Sequence, residues 1–169
     1  MRASIRSPLV ALVSLGVVYA LFSFLLYRAE VVPRALLLPI DPKSYYLAQT
    51  FFVGPLMALL AFVFSYVIYV VAAPSITVRQ SDMFRWFAPA YAWPLLVLFV
   101  IPDLVVFLVL GHGSLAKAMR IYAPLAPIVI AVVATRQARI HLEAGKLRAV
   151  AAAILALFVQ GALGALVLR

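Results

Sequence analysis

The 169-residue chain contains no cysteine, so disulfides and thiolate metal ligands are excluded. Acids are nearly as scarce: five Asp and Glu stand against fourteen Lys and Arg, for a net charge of +9. Charged residues make up 11% of the chain, well under the roughly 25% of a soluble domain. The catalytic patterns G-x-S-x-G and H-E-x-x-H do not occur, and no apolar run holds a pair of acids. The sequence therefore points to no catalytic residue, no metal site and no cofactor. His112 and His141 are the only histidines. They fall in loops on opposite sides of the expected topology, which argues against a pair of haem ligands.

What fills the chain is hydrophobic residues, at 67%, with a mean hydropathy of +1.16. An ordinary globular domain is excluded. Between Leu47 and Ala73 there are 27 residues without a charge, more than the roughly 20 a membrane span needs. Five such runs are expected, over about 8–27, 46–73, 87–110, 115–135 and 150–168. They predict an all-α polytopic transmembrane bundle in one domain, 1–169. A signal peptide competes for the first run. That run is too long for a typical h-region and ends in "FLLYRAE" without an A-x-A site, which favours a retained helix.

Pro89, Pro94 and Pro102 predict a kinked or broken third span, and Ser114 is the expected N-cap of the fourth. In that fourth helix Lys117 and Arg120 would snorkel outward. The Val31–Ile40 stretch is apolar but too short to span, so it is expected to lie along the interface. Tyr45, Tyr46, Phe84, Trp86, Trp93 and Tyr122 near run ends read as interfacial belts. Gly161, Gly164 and Ala165 read as a close-packing strip.

The cations flank the apolar runs, which suits lipid headgroups rather than nucleic acid. With five spans, the side holding the N-terminus carries eight of them and the other side six. This predicts a cytoplasmic N-terminus and an outer C-terminus. Arg136, Arg139, Lys146 and Arg148 supply most of the bias and are the candidate contacts to anionic headgroups. The expected partners are membrane lipids, with a membrane-protein partner or a second copy of the chain as a further class.

Asp103 is the only acid inside an apolar run, and an acid there costs about 2.5–3.5 kcal/mol on insertion scales. Two readings stay open. The carboxylate caps the turn after Pro102, or it is a titratable group on a proton or cation path. Its helical neighbours Phe99, Val100 and Phe107 offer no partner, so Ser65, Tyr66, Gln49 or Gln160 on other helices are the candidates.

Three stretches in order resemble the bacterial branch of the Yip1-domain family of integral membrane proteins. They are "YYLAQTFFVGPLMALLAFVFSYVIYVVA", "DMFRWFAPAYAWPLLVLFVIPDLV" and "RIHLEAGKLRAVAAAILAL". The shared pattern is a Tyr-rich start to a Pro-bearing second helix, a polar loop, an A-x-x-x-P helix and a basic loop before the last helix. The resemblance covers about Ser44–Leu157. Family members often carry a Gly-Gly loop after the second helix, whereas this chain has "APSITVRQSDMF". The long cytosolic N-terminal region of eukaryotic members is also missing, so no trafficking GTPase is expected as a partner. The resemblance implies a five-span bundle, a cytosolic N-terminus and no enzyme activity. The function expected is that of a non-enzymatic membrane protein organising lipids or partner proteins. The alternatives are a transporter-type subunit using the Pro102–Asp103 break, and an accessory subunit of a larger complex.

Overall fold

A computed structural model describes residues 7–33, 39–73 and 78–167. Seven helices follow in order: α1 Pro8–Arg28, α2 Tyr45–Ala72, α3 Gln80–Leu95, α4 Ile101–Leu110, α5 His112–Tyr122, α6 Leu125–His141 and α7 Lys146–Val167. A π-helical stretch, Leu96–Val100, joins α3 to α4. Among the described residues there is no strand. Five helical stretches are long and apolar enough to cross a membrane: Pro8–Arg28, Tyr45–Ala72, Gln80–Leu110, His112–His141 and Lys146–Leu166. Backbone polar groups have no water to bond in lipid, so helices that satisfy their own amides are the natural solution.

α2 is the central helix. Its 28 residues make it about 42 Å long, and it packs against α1, α3 and α7. Val53, Met57, Leu60, Phe64 and Ile68 recur at helical spacing and are fully buried. Against them α7 presents a face of small residues: Ala149, Ala152, Ala153 and Ala156 are all buried. Lipid tails are as apolar as a core, so close backbone approach and dispersion hold such helices together. The tightest approach is between α1 and α2. A Cβ on Gly16 would sit 3.1 Å from the Gly54 Cα. The expected strip on α7 contributes less: Gly164 is buried near Leu60, while Gly161 and Ala165 are exposed.

The third span departs from expectation in two ways. It begins at Gln80, seven residues before Phe87, because the polar turn Gln80–Asp82 is itself helical and sets Asp82 at the positive end of the helix. It is also not broken. The chain stays helical through Pro89, Pro94 and Pro102. A proline ring clashes with the carbonyl four residues earlier, which for Pro102 is Leu98, inside the π stretch. The wider π turn absorbs that clash, so the helix does not need to restart.

The fourth span runs from His112 to His141, beyond the expected 115–135 at both ends. Gly111 takes φ 76°, ψ 171°, a conformation open to glycine, and starts the helix one residue later. Ser114 is not the cap, and its hydroxyl donates to the Leu110 carbonyl at 3.2 Å. At the other end, Arg139 and His141 lie in the last turn, where the helix dipole favours cations. The real interruption is the turn at Ala123–Pro124, between α5 and α6. Lys117 and Arg120 are exposed on α5.

Half of the Val31–Ile40 expectation falls on residues 34–38, outside the described residues. Arg2, Arg6, Arg34, Leu168 and Arg169 lie outside them as well. Tyr45 does not sit in a belt. It is fully buried at the start of α2, beside Tyr46.

Candidate functional site

Asp103 is 5% exposed, on the first turn of α4. It does not cap. Val100 and Ile101 have helical dihedrals, so the turn after Pro102 continues an existing helix and leaves no orphan amides for a carboxylate to cap. The partner is also not one of the four expected. The Tyr122 hydroxyl, at the end of α5, donates to the Asp103 carboxylate.

The four candidates are engaged elsewhere. The Ser65 hydroxyl donates to the Ala61 carbonyl at 2.7 Å, and Tyr66 is exposed and stacked on Phe62. Gln49 is buried with Ser23 and Tyr45. Ser23 Oγ lies 3.1 Å from Gln49 Oε1 and 2.9 Å from the Tyr19 carbonyl, and Gln49 Nε2 donates to the Tyr45 hydroxyl at 3.3 Å. Gln160 Nε2 donates to the Tyr91 hydroxyl at 3.0 Å, which ties α7 to α3.

The meeting of Asp103 and Tyr122 follows from the chain path. Gly111 reverses the chain so that α4 and α5 run antiparallel, and residues similarly far from the turn come opposite each other. Tyr122 was legible only as a belt residue because that register depends on the turn. α1 closes the other side, where Phe22 meets Phe107 edge-on at 5.9 Å and Leu115 packs into the same apolar cluster. Tyr19 and Tyr46 border that cluster.

The structure does not bring the four basic candidates into one groove. The Arg148 guanidinium donates through Nε to the Val71 carbonyl at 2.8 Å, one of the orphan carbonyls at the end of α2. Lys146 is exposed at the start of α7. Arg136 and Arg139 line an open groove of about 620 Å³ with Val132, Thr135, Ile140, Glu143 and Ala144. Residues 132, 135, 136, 139 and 140 form one stripe along α6 by the 3.6-residue period, and Glu143 in the turn after it lines the same groove. The stripe is graded. Val132 lies toward the middle of the span, the two guanidiniums lie nearer its end, and Glu143 stands just past it. Among the described residues, neither arginine forms an ion pair with Glu143 or any other acid. Close by, His141 stacks on Trp86 with ring centroids 4.4 Å apart, fixing the end of α6 against the start of α3.

Among the described residues no group of three or more His, Asp or Glu is placed to hold a metal ion. Comparison with family models, curated proteins and solved structures finds no match to the chain. Fold and site together define a class: an all-helical polytopic bundle with five membrane-length helical stretches among the described residues, carrying a buried acid paired with a phenol and a cation-lined groove at the end of α6.

Proposed function

We propose that this chain is a non-enzymatic integral membrane protein that holds phospholipid at one face of the bilayer and so organises lipids or partner proteins around it. The observation that carries this reading is the α6 groove. Arg136 and Arg139, which form no ion pair among the described residues, line it with Val132 and Ile140 near the end of α6, where a long cationic side chain can reach a headgroup. Guanidinium recognises phosphate oxygens by paired, charge-assisted hydrogen bonds, and the apolar part of the stripe accepts the upper acyl chain. The bias of loop cations toward this side and the positive-inside tendency support a cytoplasmic location for this face, and the resemblance to the bacterial branch supports the bacterial inner membrane as the setting. The sequence resemblance to bacterial Yip1-domain proteins supports the same non-enzymatic reading. Native mass spectra of the full chain in mild detergent test it. Arg136→Gln with Arg139→Gln should strip bound phospholipid, and unchanged lipid retention would sink the proposal.

A second reading, a transporter-type subunit, is favoured by the π stretch beside Pro102 and the buried Asp103. It requires that Asp103 exchange its proton. Loss of a pH-dependent flux into proteoliposomes in Asp103→Asn, with the fold intact, would establish it over the first.

A further inference from the structure

The groove on α6 holds a feature that phosphate recognition does not use. Glu143 shares it with Arg136 and Arg139, yet pairs with neither among the described residues. A carboxylate beside a simple anion site is a liability, since it repels the anion. Its backbone is also unusual. Glu143 has φ 50°, in the left-handed region where glycine is the easy choice just past a helix. The chain thus sets a side chain, and a negative one, where the local geometry favours none.

The position gives the charge a use. From Val132 to Arg139 the helix rises about 10 Å, and Glu143 follows in the turn just past the helix end, where the Ala144 amide bonds back to the Ala138 carbonyl. The C-terminal end of α6, at His141, adds the negative pole of the helix dipole at the same level. Along the stripe Val132 comes first, the positive Arg136 and Arg139 next and the negative Glu143 last, with Thr135 and Ile140 interspersed. A phospholipid whose headgroup carries an amine has the complementary order: acyl chain, phosphate, ammonium.

We infer that the α6 groove selects amine-bearing phospholipid headgroups, with the phosphate on Arg136 and Arg139 and the ammonium on Glu143 at the negative end of α6. This rests on the lipid-holding reading above and adds the headgroup class. A phosphatidylglycerol headgroup satisfies the two arginines but brings nothing to Glu143.

Purified full chain in mild detergent, titrated with chain-matched phosphatidylethanolamine or phosphatidylglycerol and read by native mass spectrometry, decides the matter. Glu143→Gln keeps the shape and removes the charge. It should lower the ratio of ethanolamine to glycerol lipid retained by about two- to fivefold, the worth of one exposed ion pair. Glu143→Gly should do the same while leaving the melting temperature equal or higher, because glycine fits the left-handed backbone. An unchanged ratio in both variants overturns the headgroup assignment and leaves lipid holding intact. Retention of both lipids in the Arg136→Gln, Arg139→Gln variant overturns the lipid-holding reading itself.

Discussion

The Tyr122 hydroxyl hands its hydrogen to the Asp103 carboxylate across the hairpin of α4 and α5, joining the one acid inside the apolar runs to a helix otherwise buried through Leu115. An acid in this setting needs a donor. Without one it carries the full cost of an unmet buried polar group.

Tyr122→Phe should therefore destabilise the bundle by about 1–3 kcal/mol, the usual cost of stranding a buried acceptor. Asp103→Asn retains an acceptor and should melt close to the wild type. Combining Tyr122→Phe with Asp103→Leu should cost less than the sum of the two single changes, because the stranded group is gone. Thermal unfolding in detergent reads all three. Strict additivity would show that the two side chains are not coupled.

The approach of α1 to α2 makes two glycines unequal. A side chain at Gly16 runs into the Gly54 backbone, whereas a Cβ at Gly54 meets nothing within 4 Å. Gly16→Val should cost about 1–3 kcal/mol by forcing the helices apart. Gly54→Ala should be neutral or slightly stabilising, since alanine is the better helix former. Equal losses at both sites would contradict the packing described.

Arg148 closes the end of α2 through the Val71 carbonyl. Because the contact is exposed, Arg148→Gln should cost no more than about 1 kcal/mol globally. Its mark should be local: faster amide exchange at the last turn, where the Ala73 amide bonds the Tyr69 carbonyl. Unaltered exchange there would mean the guanidinium does not secure the helix end.

Five helical stretches among the described residues have the length and apolarity to cross a membrane, and an odd number of crossings would set the two ends of the described chain on opposite sides. Reporters fused before Ser7 and after Val167 should give opposite compartment signals, with the first cytoplasmic. Matching signals would require an even number of crossings.

The spans were legible because uncharged runs of 20 residues have one common use. Their edges were less so. The third helix starts in a polar turn that hydropathy cannot see, and the fourth continues through Arg136 and Arg139 because a helix end accepts cations. Asp103 stood out in the sequence by its rarity, but Tyr122 did not, since a tyrosine near a span end is common. Only the Gly111 turn fixes that pairing. The division of the basic tetrad was equally hidden. Whether an arginine points to a groove or to a neighbouring helix end is decided by α2, more than seventy residues upstream of Arg148.

That separation along the chain bears on how the molecule is made. α2 leaves the ribosome long before α7, and the chain is built from its N-terminus forward. Until Lys146–Val167 has been synthesised, the face of α2 that α7 will cover has no partner, and the Val71 carbonyl has no guanidinium. The nascent protein thus holds four membrane-length spans around an open seam, and α7 is the helix that shuts it. A chain halted before Lys146 presents that unsealed flank to the membrane, where quality control can recognise it.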